Sequence, residues 1–414
     1  MANLLYLVHR LPFPPNKGDK VRSYHLLKHL TARHQVFLGT FVDDPDDEVH
    51  VDTVRAMCAG LHVVRLNPTM AKLRSLAGLL NGQALSLGFY RDAGLKAWVI
   101  HTMANHRIDA TVVFSSAMAQ YASQAGGVSA SPMLVDFVDV DSAKWAQYAS
   151  QRSWPLSWVY AREGERLLAY ERAIAVRAQR AFFVTEKETA LFQRLAPECA
   201  DAVEPMGNGV DADYFSPDPC RMTPFPGDQA PIVFTGAMDY WPNIDAVTWF
   251  VADVLPALRK TWPKMCFYVV GRSPPPAVQA LACEAVVVTG TVPDVRPYLQ
   301  HAAVVVAPMR VARGVQNKIL EAMAMARPVV AARECVEVID ARSGDALIAA
   351  ASVDDYVRSI QELLQRPEHA SAVGAAGRRC VVQRYSWAYH MAGIDRFLPG
   401  YHPGGTVRAL GQVS

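Results

Sequence analysis

The residues best suited to chemistry cluster in one stretch, Val304 to Ala332, VVVAPMRVARGVQNKILEAMAMARPVVAA. An apolar strand ends at Ala307, a loop carrying Arg310, Arg313 and Gly314 follows, and a helix is predicted from about Gln316. Gly314 and Val315 would then present free backbone N–H groups at the start of that helix, where the helix dipole also favours an anion. Asn317 and Lys318 fall in its first turn, and Lys318 adds a positive charge. Glu321 lies three residues on, on roughly the same helix face, and suits ribose hydroxyl groups as an acceptor. The same spacing also describes an ordinary surface Lys–Glu helix pair, and the pattern alone leaves both readings open.

A second candidate lies earlier in the chain. Asp136, Asp139 and Asp141, followed by Ser142, Lys144 and Trp145, come after the apolar run Met133–Val135. That places the carboxylates at the C-terminal edge of a sheet, where α/β proteins build their sites. They do not continue as a D-x-D-x-D-G calcium loop, and capping of a helix by Asp141 or Ser142 is the alternative. The twelve histidines show no H-E-x-x-H spacing, no G-x-S-x-G elbow occurs, and no G-x-G-x-x-G follows the first strand. Metalloprotease, hydrolase and dinucleotide oxidoreductase readings are weakened accordingly.

The elements that must position these residues follow an alternating pattern. Strands are predicted at 4–8, 36–42, 61–66, 110–115, 133–138 and 181–185, with helices at 21–32, 50–59, 92–106, 157–178 and 186–196. A second series has strands at 232–236, 266–271, 286–289, 304–307 and 329–332. Its helices are predicted at 244–261, 275–283, 294–301, 316–326, 353–365 and 370–384. Strand–helix alternation implies parallel sheets covered on both faces. The expected division is a first lobe over 1–200, a Pro/Gly/Asp-rich linker over 201–231, a second lobe over 232–385, and a tail, 386–414, packing back on the first lobe. A cleft between the lobes is the expected place for ligands.

The composition fits. Of 414 residues 51% are hydrophobic and 19% charged, and Lys+Arg 41 against Asp+Glu 39 gives a net charge of +2. This excludes a mainly disordered chain and argues against a nucleic-acid coat protein. The seven cysteines are scattered without a C-x-x-C pair, as expected of a reducing cytosol. The beginning, MANLLYLVHRLPFPP, does not read as a secretory signal, and no apolar run reaches the ~18 residues of a transmembrane helix. The segment 70–90 mixes Lys72 and Arg74 with leucines. It reads either as a membrane-surface segment or as a core helix with two solvated cations.

Several strings together resemble glycosyltransferase family 4, retaining enzymes of the GT-B fold that use nucleotide-sugars. Glu321-Ala322-Met323-Ala324 with Pro328-Val329-Val330 resembles the family's C-terminal signature. Gly207-Asn208-Gly209-Val210-Asp211 with Tyr214-Phe215 and Pro217 resembles its inter-lobe motif, with Met206 in place of a proline. Phe234-Thr235-Gly236, Tyr268-Val269-Val270-Gly271 with Arg272 after it, and Thr289-Gly290-Thr291-Val292-Pro293-Asp294 resemble three of its strand ends. Pro14-Pro15-Asn16-Lys17-Gly18 resembles its first-lobe glycine loop. Longer strings, HRLPFPPNKGDKVRSYHLLKHL and TGAMDYWPNIDAVTWF among them, are similar to the sugar transferases of exosortase (PEP-CTERM) exopolysaccharide systems.

The resemblance implies two Rossmann-like lobes facing a central cleft, with the acceptor on the first and the donor on the second. It implies a donor site of Gly18, Gly236, Gly271, Arg272, Val292, Arg310, Gly314, Val315, Asn317 and Glu321, with Asp139, Arg313 and Lys318 nearest the chemistry. Arg313 stands where the family signature has its first glutamate, eight residues before Glu321. The Arg and Lys that many relatives carry after the glycine of the second lobe's first strand are missing from Gly236-Ala237-Met238-Asp239-Tyr240, so Arg310, Arg313 and Lys318 are the expected replacements. Further expectations are a nucleotide-diphosphate-sugar donor, a lipid-linked or oligosaccharide acceptor, no metal or other cofactor, and no nucleic-acid partner. The expected location is the cytoplasm, with contact at the inner face of the cytoplasmic membrane. A sugar-nucleotide epimerase of the same fold and a non-catalytic nucleotide-sugar scaffold are the alternatives.

Overall fold

The computed structural model describes residues 1–15, 18–122, 131–150, 153–227, 229–310, 315–339, 341 and 344–400. They form two compact units, Met1–Gly207 together with the chain from Met391, and Asn208–His390.

The first unit is built on seven parallel strands: β1 (Asn3–Val8), β2 (Gln35–Val42), β3 (Gly60–Arg65), β4 (Ala110–Phe114), β5 (Met133–Val138), β6 (Arg180–Phe183) and β7 (Val203–Pro205). Their order in the sheet is β3-β2-β1-β4-β5-β6-β7. The central strands β1 and β4 are apolar and almost wholly buried. That is the signature of strands covered on both faces by helices. Leu5, Leu7, Phe41, Val113, Val135 and Phe183 form the middle of this core.

The second unit has six parallel strands: β8 (Ala230–Thr235), β9 (Met265–Val270), β10 (Val286–Gly290), β11 (Val304–Ala307), β12 (Val329–Ala332) and β13 (Ile348–Ala350), in the order β10-β9-β8-β11-β12-β13. Both sheets therefore reverse their winding once, between β1 and β4 and between β8 and β11. At such a point the chain leaves the two neighbouring strands toward opposite faces, and a crevice opens beyond their carboxyl ends.

The structure departs from the sequence expectations in definite places. Pro197–Pro205 belongs to the first unit, as a 3₁₀ segment (Pro197–Ala202) and the edge strand β7, and the division falls after Gly207. The long helix expected at 244–261 begins earlier, at Trp241, and passes through a π turn at Phe250–Val254 ahead of Pro256. Proline lacks the N–H of a regular turn, so a local widening accommodates it. Only Pro276–Gln279 is helical where 275–283 was expected. Helices at Asp141–Ser150 and Trp387–Asp395 were not anticipated, and the segment 70–90, read either as a membrane-surface segment or as a core helix, is covered by three short helices, Pro68–Ser75, Ala77–Asn81 and Leu85–Phe89. The chain after the second unit is tied into the first: Asp395 accepts from His29 and Arg33 at 2.7 Å each, and Arg396 donates to Glu204 at 2.6 Å.

Candidate active site

At the β8/β11 reversal, three strand ends converge on one lysine. The helix Asn317–Ala324 follows β11, and Lys318 in its first turn turns back toward the end of β8. Its Nζ donates to Asn243 Oδ1 at 2.5 Å, lies 3.8 Å from Met309 Sδ, and sits 4.1 Å from the centre of the Phe234 ring. Asn243 is itself buried and fixed, its amide donating to the Ala237 carbonyl at 2.7 Å. A Cβ on Gly236 would stand 2.8 Å from Asn243 Nδ2 and 3.0 Å from Lys318 Nζ, so a side chain there would displace the lysine. A Cβ on Gly271 would meet the Gly236 carbonyl oxygen at 1.8 Å. Glycine at 271 thus lets the ends of β8 and β9 approach, and glycine at 236 leaves room for the cation.

The electrostatics of this corner are unusual. Among the described residues no carboxylate bonds Lys318; its partners are an amide oxygen, a thioether and a ring face. Burial pushes its pKa down to about 7, and Glu321 offsets this only in part. Burial pushes Glu321 up to about 7, with the Lys318 charge acting against it. The Glu321 carboxylate makes no hydrogen bond among the described residues. The Gln316 side chain does not cap the helix. A weakly compensated cation, an unbonded carboxylate and an uncapped helix start are what a group bearing both phosphate and hydroxyl functions would complete.

The remaining donor-side residues are dispersed. Arg310 pairs with Asp245, its Nε 3.0 Å from Oδ2, and its side chain is half exposed. Its guanidinium is thus occupied by a carboxylate of the second unit. Arg272 stands exposed, 3.9 Å from Asp239. Val292 and Val315 pack partly buried against the core of the second unit. Asn317 is the first residue of the helix. Gly18 opens the helix Gly18–Thr31 in the first unit and is exposed. Arg313 and Gly314 lie outside the described residues. Sequence reasoning did not single out Asn243 or Met309, and reached Phe234 only as part of the strand-end motif Phe234-Thr235-Gly236. The only signal for Asn243 was Pro242 before it, a common residue at a helix start.

The β1/β4 reversal of the first unit holds a cavity of about 260 Å³ lined by His9, Tyr90, Ser115, Asp141, Lys144 and Trp145, among others. Asp141, and not Asp139, is the acidic member of this lining. Lys144 Nζ donates to both, at 2.7 Å to Asp139 and 3.1 Å to Asp141. Asp136 serves the scaffold: fully buried, it accepts from Arg22 at 2.7 and 3.1 Å, and the same guanidinium donates to the carbonyls of Met206 and Gly207.

The architecture is that of the GT-B glycosyltransferases. Residues 229–366 match the family model Glycosyl transferases group 1. Over 221 residues the chain is 28% identical to a GDP-mannose-dependent alpha-(1-6)-phosphatidylinositol monomannoside mannosyltransferase of Mycolicibacterium smegmatis, a match spanning 48% of this chain and 56% of that relative. Among solved structures, sucrose-phosphate synthase from Thermosynechococcus elongatus is similar at a TM-score of 0.65 and 16% identity, with 96% of this chain and 98% of that one covered. Anabaena HepE in complex with UDP is similar at 0.65 and 14%, covering 96% and 99%. The likenesses to solved structures, at 14–16% identity, are of fold, and the family match lies within the second unit.

Proposed function

We propose that this chain is a retaining glycosyltransferase, akin to family 4, that moves a sugar from a nucleotide-diphosphate-sugar to a polysaccharide or lipid-linked acceptor in exopolysaccharide synthesis at the cytoplasmic side of the membrane. The observation that carries the reading is Lys318: a partly buried cation at a strand-order reversal, beside a helix start that the Gln316 side chain does not cap, with no carboxylate bonded to it among the described residues. Diphosphate would complete that environment, and Glu321 would accept from the ribose hydroxyls. Arg313, in place of a glutamate, bears on the choice of donor. The reading calls on no metal or other cofactor, since Lys318 and backbone N–H groups meet the diphosphate charge. In the transfer itself the anomeric C–O bond to the diphosphate breaks as the acceptor oxygen bonds the same carbon from the same face. The acceptor proton passes to the departing phosphate oxygen. The first-unit cavity, with Asp141, Lys144 and Trp145, offers the acceptor polar groups and an aromatic face, and Asp139 steadies Lys144 behind them.

A panel of nucleotide-sugars incubated with and without lipid-linked acceptor tests this. Nucleoside diphosphate should be released only when acceptor is present, and magnetic resonance should show the donor's anomeric configuration kept in the product. Conversion of the donor without acceptor would mark an epimerase. Binding without any turnover would mark a scaffold, and an inverted product would end the retaining assignment.

A further inference from the structure

The long helix Leu156–Arg177 of the first unit buries an unusual stripe. Its buried residues are Glu163, Gly164, Leu167, Glu171, Ile174 and Ala175, spaced as one helix face requires. Two of them are glutamates, where an apolar side chain is the ordinary choice. Glu163 is fully answered. Its carboxylate accepts from the backbone N–H groups of Leu85 (2.5 Å) and Ser86 (2.9 Å) and from the Ser86 hydroxyl (2.7 Å). Glu171 is not. It is 1% exposed, its Oε2 accepts from the Ser142 hydroxyl at 2.6 Å, and its Oε1 has no hydrogen-bond partner among the described residues. Lys144 does not pair with it, being held by Asp139 and Asp141. A carboxylate in that setting has neither water nor a bonded counter-charge, so the protonated acid is the favoured form. Burial pushes its pKa up to about 8, the Ser142 hydrogen bond opposes the rise, and the charge of Asp141 adds to it.

Ser142 links this acid to the first-unit cavity. The helix Asp141–Ser150 supplies Asp141, Lys144, Trp145 and Tyr148 to the cavity wall. Ser142 is the residue of that helix that is buried, so the seat of the helix on the body of the unit passes through it. The seat is close. A Cβ on Gly164 would stand 3.0 Å from the Ser142 carbonyl oxygen and 3.3 Å from the Ala146 nitrogen. The Trp145 ring lies 5.2 Å from that of Tyr160 on the long helix. The charged and titratable groups around the Glu171–Ser142 contact come from three helices. Asp141 and Lys144 belong to the seated helix. Glu188 belongs to the helix Glu186–Leu195 and accepts from the Val140 N–H at 2.8 Å. Tyr170 stands beside Glu171 on its own helix, while Arg172 pairs with Glu198 on the exposed side. Burial works against the charge of Lys144, but Asp141 and Asp139 overcome it and raise its pKa. Burial raises Tyr170 as well, so both titrate above Glu171.

We propose that Glu171 is a positioning residue for the acceptor: through Ser142 it seats the helix that presents Asp141, Lys144, Trp145 and Tyr148 to the cavity. The proposal rests on the reading of that cavity as the acceptor's place. Protonated, Glu171 accepts from Ser142 and brings no charge to a dry contact. Ionised, it sets a second negative charge beside Asp141, and water or displacement of the helix start must relieve it. The side chains that meet the acceptor stay the same, and their placement is lost. Acceptor binding therefore holds below a pH of about 8 and weakens as pH rises through that value.

Titration of the full chain without substrates, followed by tryptophan emission, tests the seating. The difference between the parent and Trp145→Phe isolates the Trp145 signal, which should shift as pH rises through about 8. Glu171→Gln is uncharged at every pH and shaped like the acid, so the same difference measured in it should show no shift. Kinetics test the consequence, with whichever polyprenyl diphosphate-linked glucose, galactose or mannose turns over at saturating donor. From one pH unit below that value to one above, the parent's acceptor KM should rise about tenfold, the linkage expected when only the protonated form binds. In Glu171→Gln it should stay level, with the parent's melting temperature and nucleoside diphosphate affinity. Ser142→Ala should raise the acceptor KM at every pH. A Trp145 transition that is absent from the parent, or that persists in Glu171→Gln, overturns the proposal. So does an acceptor KM in Glu171→Gln that still follows the parent's pH profile. Transfer to no acceptor at all would sink the reading of function instead, and the emission titration would still decide whether Glu171 seats the helix.

Discussion

The two lobes reverse their strand order in the same way, yet treat charge differently at the crevice each reversal opens. In the first, almost every charge is answered within the protein. Arg10 is bound by Asp43 and Asp19, Arg22 by Asp136, and Lys144 by Asp139 and Asp141. Burial works against ionisation of Asp19, but the hydrogen bond from His9 and the charge of Arg10 overcome it and hold the carboxyl well below its usual range. In the second lobe Lys318 has neutral partners and Glu321 no hydrogen bond among the described residues, and burial pushes both toward their uncharged forms. Paired charges fix a scaffold and orient a neutral ligand. A partly buried cation without a bonded anion leaves electrostatic energy to be gained when one arrives.

This contrast can be broken by substitution. The largest effect is expected from Asp136→Ala, which strands the Arg22 guanidinium in the core. Loss of one partner of a buried pair costs ~3–5 kcal/mol, so calorimetry should show the first lobe melting well below the parent. Lys318→Ala should do the opposite: the melting temperature holds, and affinity for nucleoside diphosphate falls by ~1.5–3 kcal/mol, the worth of a hydrogen bond to a charged group. Titration calorimetry with unchanged affinity would remove Lys318 from the site.

The pH dependence of nucleotide binding sharpens the same point. Anion binding favours charged Lys318, so affinity should fall as pH rises above its free value of about 7. Ribose binding favours ionised Glu321, so affinity should also fall as pH drops below about 7. A maximum near neutrality is expected, and Glu321→Gln should flatten its acid limb alone. The smallest effect is expected from Arg310→Ala. Its pair with Asp245 is half exposed, and such pairs contribute ~0–1 kcal/mol. A large loss of nucleotide affinity in this variant would mean that Arg310 leaves Asp245 for the diphosphate.

Much of this was legible in the residues. The strands β11 and β12 and the helix Val353–Gln365 fall where the apolar pattern put them, because continuous Val/Ala runs between turn signals leave few other readings. Over 70–90 the pattern left both a membrane-surface segment and a core helix open, and it did not mark off the short helix Pro68–Ser75. Its apolar residues face outward, so the amphipathic rule points the wrong way. The strands β7 and β13 have three residues each, too few to show a period. In the site, Lys318 and Glu321 could be singled out because one short helix carries both. Asn243 could not, since it lies 75 residues from the lysine it holds.

The sequence by itself determined the two parallel-sheet lobes and the chemical types at their strand ends, because those depend on local periodicity and on which residues tolerate tight turns. Which charges are spoken for was decided only by the tertiary structure. Nothing in the chain order says that Arg22 would reach Asp136, that Arg310 would turn to Asp245, or that Lys318 would meet an amide and a ring in place of a carboxylate. Coulomb interactions and desolvation depend on distance and burial in space, and both are set when strands far apart in sequence come to lie side by side.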